Sequence, residues 1–471
     1  MKYKLLLLSC LVFMLPIAAC NKGSNETAKP PTTTEGQTSP VGQTPAVTES
    51  GKPTAKKEGK TTIVISAFTD DGWVAQAKRK YEALHSDVVI QIMPYMPSDS
   101  TVVSTNDFTK FFMVLNTELL SGKGPDIIDI SYQSPGNWVN KGLLVNLSEL
   151  MAADPDFNQS QLFENIVEAS KSNGNLYVMP LSFQLRSLLV GDGDAIQKAG
   201  VRIDDDSWTW NDFIAAAEKL MGEKKYKYAF GGAPAELLLS LQIRADYKRW
   251  VDTAQRQAHF QSDAFIELLK QTKEMYDRQI AAPPEQLRGS EKPKMYFMNA
   301  GVFSFDSYLT VRSAYPNGKL YRMPHAPEER KGVAFAATDA LAITANSSVI
   351  EEAWDFIKFA LSEEMQYTPE IPAQYANFPI NKIAYDRWMK DIRNAGKAGS
   401  IELMNGSKVK VTDQDIQDFE SLIAKASTLF ADDDKVLNMI YEEAPAYFEG
   451  QKSAEAVAKL IQNRVMTYLN E

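Results

Sequence analysis

Polar side chains follow two predicted strands, at the points where those strands end. Asp70 and Asp71 come directly after an apolar, β-branched run, and Tyr132 and Gln133 follow a second such run further along the chain. In open sheets of parallel strands, ligands bind just beyond the carboxyl ends of the strands. These four residues are therefore candidate contacts for a polar ligand. The aspartates have an alternative role as N-caps of the helix predicted after them.

Sequence motifs that indicate catalysis, a bound nucleotide or a metal are absent. The chain lacks G-x-S-x-G, H-E-x-x-H, a P-loop and a complete G-x-G-x-x-G. Its three histidines, His85, His259 and His325, are too far apart in sequence to indicate a metal site. The acidic run at 203–208 has no calcium-loop glycine and is typical of a helix start. The sequence therefore predicts no cofactor, no metal and no catalytic residue.

The first 20 residues have the pattern of an export signal that ends at a cysteine. A short basic start precedes an apolar run at 5–17, which is too short to span a bilayer. The order Ile-Ala-Ala-Cys at 17–20 resembles the lipobox of bacterial lipoproteins, in which the cysteine is lipidated and becomes the new N-terminus. The resemblance implies a signal peptide at 1–19 and a lipid anchor on Cys20. A plain secretory signal is the alternative.

Residues 20–60 are predicted to form a lipidated cysteine followed by a flexible tether. The segment after Cys20 is rich in threonine, proline and glycine, and it contains no aromatic residue. Such a composition cannot bury enough apolar surface to offset the entropy of ordering. The body beyond it contains no cysteine, because the other one, Cys10, lies within the signal. A disulfide scaffold and a cysteine metal site are therefore excluded for the exported body.

The body at 61–471 is too long for one core, so two or more domains are expected. The formal net charge of the chain is −10, and loss of the two lysines in the signal makes it −12. An acidic body argues against nucleic acid or anionic lipid as a partner.

From residue 61 onward, the hydrophobic pattern alternates between strands and helices. Strands are predicted at 61–68, 87–95 and 125–131, with helices at 73–84 and 106–122 between them. This alternation predicts right-handed crossovers and a parallel sheet. Later predictions are two strands within 173–190 separated by Pro180, helices at 209–221, 262–279 and 348–362, a strand entering a loop at 300–309, a strand at 332–344, and a mostly helical end that includes 453–469. The pattern is typical of the α/β class.

Seven stretches, taken in order, resemble one known family. They are SGKGPDIIDIS (121–131), NGNLYVMPLSFQLRSLLV (173–190), GDAIQKAGV (193–201), SWTWNDFIAAAEKL (207–220), MNAGVFSFDSYL (298–309), YRMPHAPEERKGVAFAATDALAIT (321–344) and EEAWDFIKFALSEEMQ (351–366). They resemble the extracytoplasmic solute-binding proteins of ABC importers, in the carbohydrate-type branch that includes maltose-binding protein. The resemblance covers most of 61–366.

The family fold implies two α/β lobes of periplasmic-binding-protein type II, each a mainly parallel sheet flanked by helices. The resemblance implies lobe one at about 61–178 plus 334–366 and lobe two at about 180–331 plus 372–471. It also implies that the lobes close by a hinge on a ligand held in the cleft between them. Expected partners are a small-molecule solute, most naturally a carbohydrate, and the membrane subunits of a permease with a separate ATPase. The expected location is the extracytoplasmic face of the cell membrane, as a lipid-anchored monomer.

The resemblance also implies a set of ligand contacts. The four residues at the strand ends match positions at which the family contacts its ligand. The family also has contacts at a polar side chain after the first crossing, at an aromatic ring, at two residues near the hinge and at an acidic residue in lobe one. The complete set is Asp70, Asp71, Tyr132, Gln133, Gln184, Phe230, Asp306, Tyr308 and Asp339. Such a mixture suits a sugar, because aromatic rings cover its C–H faces while carboxylates and amides bind its hydroxyls. A tryptophan that maltose-type members have near Asp306 is absent here, which leaves the identity of the sugar open.

Three alternatives stay open on the sequence alone. The first is a lipid-anchored cell-surface glycosidase, since two carboxylates across a cleft can hydrolyse a glycoside. The second keeps the fold but binds another solute, such as a polyamine, a phosphorylated compound or a metal chelate. The third presents the sugar to a membrane sensor instead of a permease.

Overall fold

Strands and helices alternate along the described part of the chain. The computed structural model describes residues 56–57, 59–70, 72–97, 104–130, 135–231, 233–287, 294–325, 332–430 and 434–471. The strands are β1 (Lys56–Lys57), β2 (Lys60–Ala67), β3 (Val88–Pro94), β4 (Ile127–Asp129), β5 (Met179–Asp192), β6 (Phe230–Gly231), β7 (Val251–Asp252), β8 (Gln257–Ala258), β9 (Ala281–Ala282), β10 (Phe297–Val302), β11 (Gly318–Arg322), β12 (Val333–Ile343), β13 (Phe378–Pro379), β14 (Ser400–Glu402), β15 (Lys408–Lys410) and β16 (Ala426–Leu429).

The helices agree closely with those that the hydrophobic pattern predicts. They are α1 (Gly72–Leu84), α2 (Thr105–Leu120), α3 (Gly136–Asn140), α4 (Leu147–Ala153), α5 (Glu164–Ala169), α6 (Gly193–Lys198), α7 (Trp210–Gly222), α8 (Ala235–Ala245), α9 (Tyr247–Trp250), α10 (Asp263–Asp277), α11 (Phe305–Arg312), α12 (Ile350–Ala360), α13 (Glu363–Gln366), α14 (Lys382–Lys397), α15 (Asp413–Ala424), α16 (Asp434–Glu443), α17 (Pro445–Phe448) and α18 (Ala454–Asn470). No described helix is both long enough and apolar enough to cross a bilayer.

Most of the strands belong to one mixed sheet. β2 lies parallel to both β3 and β4, as the alternation of strands and helices predicts. β12 then pairs antiparallel with β4 and with β5, and β5 pairs antiparallel with β10 and β11. The main path through the sheet is β1-β2-β4-β12-β5-β10. Parallel pairing therefore extends over β2, β3 and β4 and recurs between β12 and β16, while the neighbours of β5 are antiparallel.

β5 is a single strand of 14 residues. The prediction of two strands separated by Pro180 is wrong, because Pro180 is the second residue of β5, and a proline is tolerated at the beginning of a strand. The first part of β5 pairs with β12, and the second part pairs with β10 and β11. Ser187 lies where the partners change, and its φ of 50° is in the left-handed region that few non-glycine residues adopt.

The side chains of Leu188 and Leu189 belong to two different apolar cores. The first core is built mainly on β2, β5, β12, α1 and α12, and the second on α6 to α10 with α16 and α18. Buried side chains between Phe378 and Ala426 also lie in the first core. Both cores are part of one compact unit, 51–471. β5 thus contributes to both cores inside that unit, and so does β10, with Phe297 in the second core and Val302 in the first.

Local capping explains where two of the predicted helices begin. Thr209 is the N-cap of α7: its hydroxyl accepts from the Asp212 amide at 3.2 Å, and the Asp212 carboxylate accepts from the Thr209 amide at 2.8 Å. Ser453 caps α18 and accepts from the Ala456 amide at 3.2 Å. These two caps fix where α7 and α18 begin. Trp208, which precedes α7, and Trp210 and Trp354, which lie on helices, are buried.

The sequence does not anticipate the structure at two further places. The segment after β10 was predicted to enter a loop, but it forms α11, because Ser304 caps a new helix by accepting from the Ser307 amide at 3.2 Å. The end of the predicted tether is also structured. β1, at Lys56–Lys57, pairs antiparallel with β2, so strand structure begins before residue 61.

Candidate functional site

Three of the predicted ligand contacts lie at one edge of the sheet. Asp70 follows the carboxyl end of β2, while Asp339 and Gln184 lie on the neighbouring strands β12 and β5. Because β2, β4 and β5 run in the same direction, residues late in β2 and β4 and midway along β5 face the same side of the molecule. Asp339 pairs with Ser182, two positions before Gln184 on the same strand. Asp70 is exposed, whereas Gln184 is 5% exposed.

The carboxyl group of Asp339 is held by its neighbours on β5 and β12. It accepts a short hydrogen bond from the Ser182 hydroxyl, which also lies 2.5 Å from the Thr338 hydroxyl. Burial raises the pKa of Asp339, and the hydrogen bond from Ser182 opposes that rise. Part of the hydrogen-bonding capacity of Asp339 is therefore used inside the sheet.

An aromatic group lies at the same edge, beside Asp70. The ring of Phe68, which follows β2, stacks on the ring of Phe108 with 4.0 Å between centroids and 9° between planes. Tyr95, which follows β3, lies 5.9 Å from Phe68. Phe108 is 39% exposed, so part of this surface faces solvent. Flat rings beside a carboxylate can cover the apolar face of a ligand while the carboxylate binds its hydroxyls.

Three residues of β5 carry buried polar atoms that have no hydrogen-bond partner among the described residues. They are Gln184 Oε1, Arg186 Nε and Ser187 Oγ. Gln184 and Arg186 lie on the same face of the strand, because side chains two residues apart point the same way. Opposite them in the register are Ala336 and Ala334, which pack against Phe430. Buried polar groups are normally paired, so a row of unpaired ones indicates a place for a ligand.

Arg186 is positioned by an aromatic ring from β10. Its guanidinium carbon lies 5.0 Å from the ring centroid of Phe303, within the range of a cation–π contact. The ring takes this place because residue 301 is glycine: a Cβ on Gly301 would lie 2.7 Å from the Phe303 ring. The Phe303 amide is fixed by donating to the Ser307 hydroxyl at 2.7 Å.

A cavity of about 300 Å³ continues from this row. Ser187 and Ala334 line it from the strands, and the start of α7, the end of α8 and the helices α9 and α10 line it from the second core. Its volume is at the lower end of the range of small-molecule sites. The cavity therefore joins β5 to the helices of the second core.

Two further buried polar atoms on the walls of the cavity formed by the second core have no hydrogen-bond partner among the described residues. They are the Gln242 amide nitrogen and the Trp250 indole nitrogen, while the Gln242 carbonyl accepts from the Thr272 hydroxyl at 2.8 Å. Arg322 also lines the cavity, but its guanidinium donates to the Asp205 carbonyl at 2.6 Å and to the Asp206 carboxylate at 2.5 Å. A ligand in the cavity could accept hydrogen bonds from Gln242 and Trp250.

Residues 67–367 match the family described as bacterial extracellular solute-binding proteins, and this span is more than half of the chain. The chain belongs to this family. Solved structures support the same fold. An ABC substrate-binding protein from Listeria monocytogenes in complex with cycloalternan shares 19% identity, with a TM-score of 0.55 over 87% of this chain and 99% of that one. The sugar-binding protein MalE from Xanthomonas citri shares 16% identity, with a TM-score of 0.59 over 87% and 98%. A periplasmic oligogalacturonide-binding protein from Yersinia enterocolitica shares 15%, with a TM-score of 0.59 over 87% and 99%.

This solute-binding protein thus has the two-lobed type II fold that the sequence resemblance implied. The remaining predicted contacts of the protein lie in its cores. Phe230 is 3% exposed in the second core, with its ring edge-on to Phe213 at 6.0 Å. Tyr308, on α11, is 1% exposed in the first core, and burial raises the pKa of its hydroxyl. Both rings contribute to packing in the structure.

Asp306 of the solute-binding protein, on α11, binds the hairpin formed by β14 and β15. Its carboxylate accepts from the Met404 amide at 2.9 Å, between β14 and β15. Burial raises the pKa of this carboxyl group, and the Met404 hydrogen bond opposes that rise. Asp71, Tyr132, Gln133 and Cys20 lie outside the described residues.

The solute-binding protein also has candidate ligand residues that the sequence did not single out. Phe68 and Tyr95 come at the ends of predicted strands, and nothing in the pattern separates a ring at an open edge from a core ring. Arg186 lies in a mostly apolar stretch and Trp250 in a charged one, and neither sequence context indicates a ligand contact. The alternation of β5 could have identified Arg186, because it shares a face with the predicted Gln184.

Proposed function

We propose that this solute-binding protein captures a sugar or oligosaccharide between β5 and the cavity of the second core and delivers it unaltered to an ABC permease. The observation that carries the proposal is a set of buried polar atoms, in one cavity and on the strand beside it, that have no hydrogen-bond partner among the described residues. Gln184, Arg186 and Ser187 contribute such atoms from the strand, and Gln242 and Trp250 contribute them from the helices. Sugar hydroxyls both donate and accept hydrogen bonds, so they can satisfy this mixture in a dry site.

The aromatic group at the sheet edge supports the same class of ligand. Phe68, Tyr95 and Phe108 present ring surface next to Asp70, an arrangement that suits the alternating C–H and hydroxyl faces of a pyranose. Family membership and the similar structures agree, since those proteins are a substrate-binding protein in complex with cycloalternan, a sugar-binding protein and an oligogalacturonide-binding protein. An oligosaccharide would extend from the aromatic group toward the cavity.

Delivery to a permease requires an open and a closed conformation of the protein. A hinge in the segments that connect the two cores would allow the protein to change between them. In this proposal the second core, built on 189–297 and 436–469, closes on the first, with β5 as part of the hinge. The expected lobe at 180–331 would then move together with the C-terminal helices. A ligand favours closure only by binding the closed state more tightly than the open one. The permease would recognise the closed form.

Binding without turnover separates this proposal from a glycosidase. A glycosidase needs a pair of carboxyl groups about 5 to 10 Å apart across the scissile bond. Two carboxyl groups, Asp246 and Glu267, line the cavity, but the chain carries none of the catalytic motifs considered above, and its family is one of solute-binding proteins. We therefore expect the bound sugar to be recovered intact.

The test is a thermal-shift screen of the full-length protein in detergent against neutral sugars, acidic sugars, polyamines and aryl glycosides. A ligand at 100 times its dissociation constant stabilises the folded state by about 2.7 kcal/mol, and so raises Tm measurably. We expect at least one saccharide to raise Tm and to bind at one site per chain. A shift with polyamines alone would contradict the choice of ligand, and release of product from a bound glycoside would contradict binding without turnover.

A lipid anchor on Cys20 would hold the protein at the extracytoplasmic face of the membrane. The proposal rests on the sequence Ile-Ala-Ala-Cys at 17–20 after an apolar run of signal length. Two or more acyl chains hold a protein stably on a bilayer, whereas one binds only marginally. We expect Cys20→Ser to move the protein from the membrane fraction to the soluble fraction or the medium. Cys10→Ser is the matched control and should leave the membrane fraction unchanged, and membrane retention of Cys20→Ser would contradict the anchor.

A further inference from the structure

Arg186 carries a positive charge that no described residue neutralises. Its side chain is half-buried, its Nε is shielded from solvent and has no acceptor, and it makes no ion pair with any described residue. Its described contact is the ring of Phe303, 5.0 Å away. A cation–π contact of this kind orients a guanidinium but leaves its charge in place.

Other partly buried arginines of the protein differ from Arg186 in having carboxylate partners. The Arg312 guanidinium lies 2.9 Å from the Asp415 carboxylate, and that of Arg322 lies 2.5 Å from the Asp206 carboxylate. Removing a charge from water is costly unless a counter-charge and hydrogen bonds compensate for it. Arg312 and Arg322 thus have a counter-charge, whereas Arg186 has none among the described residues.

The surroundings of Arg186 show where its missing partner would lie. Gln184, on the same face of β5, and Ser187, next in sequence, also carry buried polar atoms without partners. The facing positions on β12 are Ala334 and Ala336, and Ala334 also lines the cavity. Arg186 therefore lies next to two residues, Ser187 and Ala334, that line the cavity proposed to bind sugar.

We propose that the solute of this protein is an acidic saccharide whose carboxylate binds the Arg186 guanidinium. This inference rests on the proposed sugar-binding function and names the class of sugar. A guanidinium presents parallel N–H donors that match the two oxygens of a carboxylate. Gln184 and Ser187 would bind hydroxyl groups of the same uronate residue. The Arg186 guanidinium carries one positive charge, which balances the single negative charge of a carboxylate. It would balance only part of the nearly double charge of a sugar phosphate.

The charge of Arg186 also disfavours a cationic solute. The net charge of the whole protein is −10, which by itself would favour a polyamine. At the site itself, however, an unpaired guanidinium repels a cation at short range, where screening by salt is weak. An acidic protein thus carries a local positive site for an anionic sugar.

The test compares matched acidic and neutral sugars on the full-length protein in detergent. The pairs are galacturonate with galactose, glucuronate with glucose, and trigalacturonate with maltotriose, and glucose 6-phosphate is included to separate a carboxylate from a phosphate. We expect an acidic member to raise Tm and to bind at least about 10-fold more tightly than its neutral partner, by calorimetry. Raising the salt concentration should weaken only the acidic member.

Substitution of Arg186 then assigns the preference to this residue. Arg186→Gln should weaken binding of the acidic sugar about 10- to 100-fold and leave any neutral sugar nearly unaffected. Arg186→Lys, which keeps the charge but not the planar fork, should give an intermediate loss. Arg202→Gln is the control, since Arg202 is an exposed arginine with the same charge. The Tm of each unliganded variant shows that it is folded.

The outcomes separate this inference from the function on which it rests. If neutral sugars raise Tm and acidic ones do not, sugar binding stands and the acidic class is wrong. Preferential binding of glucose 6-phosphate, or an acidic preference that survives Arg186→Gln in a folded variant, would also overturn the assignment to a carboxylate at Arg186. If no saccharide of either kind binds, the proposed function and the inference both fall.

Discussion

At the scale of single residues, two buried tryptophans show how a functional group differs from a structural one. The indole nitrogen of Trp208 donates to the Arg322 carbonyl at 3.0 Å, so its polar atom is satisfied within the fold. The indole nitrogen of Trp250 has no partner and lines the cavity. Both side chains are about equally buried. The difference between them is the absent hydrogen bond, and a ligand would supply it.

Trp250→Phe should therefore weaken ligand binding more than it weakens the fold. Loss of one neutral hydrogen bond corresponds to about a 3- to 10-fold loss of affinity for the bound sugar. Trp208→Phe removes a similar ring area but also leaves the Arg322 carbonyl without its donor, which costs about 1 kcal/mol more in stability. Calorimetry with the sugar and urea denaturation without it measure the two effects. Equal affinity of the wild type and Trp250→Phe would remove this indole from the site.

How far the sequence identifies the site depends on which residue is considered. Gln184 and Asp339 could be predicted because their positions at the sheet edge follow from the strand pattern and the family resemblance. Tyr308 and Phe230 could not be distinguished from core rings, since an aromatic residue in an apolar run fits both roles. Arg186 and Trp250 were missed because a missing partner is a property of the folded structure. No local sequence pattern indicates whether a side chain will lack a hydrogen-bond partner in the folded protein.

At the scale of secondary-structure elements, β5 connects the site to the second core and must be fixed at its end. Its last residue, Asp192, is fully buried and caps α6 by accepting from the Ala195 amide at 3.0 Å. The same carboxylate lies 2.6 Å from the Lys225 ammonium and 2.8 Å from the Tyr226 hydroxyl. Burial alone would raise the pKa of Asp192, but these hydrogen bonds hold it below its ordinary value.

Asp192→Asn should lower the free energy of unfolding at pH 7 by about 1–3 kcal/mol, because charge-assisted hydrogen bonds to a buried carboxylate are lost. Since the folded pKa of Asp192 is lower than the unfolded one, the wild-type advantage is complete above the unfolded pKa of about 3.9. It is lost as the pH falls through the folded pKa. Urea denaturation of both proteins from pH 7 down to pH 3 should show the difference shrinking at the acidic end.

Asp194→Asn is the matched control for this prediction. Asp194 lies two residues further along the same helix start and is exposed, so its substitution should change stability by less than about 0.5 kcal/mol. A wild-type advantage over Asp192→Asn that grows toward low pH would have the wrong sign for a depressed pKa. It would contradict the role given to Lys225 and Tyr226.

The elements themselves were largely predictable, and the exceptions have local causes. Long amphipathic helices such as α7, α10 and α18 follow from the spacing of their apolar residues and from their caps. β5 was divided in error because a proline was treated as a break although it stands at the start of the strand. α11 was missed because the capping serine Ser304 lies inside an apolar run. The order of strands in the sheet required the family resemblance, since spacing alone does not fix which strands pair.

At the scale of the whole molecule, β5 is one of the strands that contribute to both cores. Leu188 packs in the first core and Leu189 in the second, and the strained residue Ser187 stands beside them with φ of 50°. Strained backbone is costly by about 1–3 kcal/mol and persists where the surrounding structure requires it, often at hinges and ligand sites. A small rotation at this point would move the α8 and α9 wall of the cavity relative to the face of β5 that carries Arg186.

Closure of the cores on a solute should make the particle smaller in solution. A fully compact body of this size has a radius of gyration of about 22 Å, and two lobes held apart exceed that value. We expect small-angle scattering to show the radius falling when a saccharide that raises Tm is added, with half of the change at the calorimetric dissociation constant. A saccharide that leaves Tm unchanged is the control, and the tether contributes equally to both measurements. If the site saturates while the radius of gyration stays constant, the cores hold the sugar in a fixed pocket, and a permease would need another signal to distinguish the loaded protein.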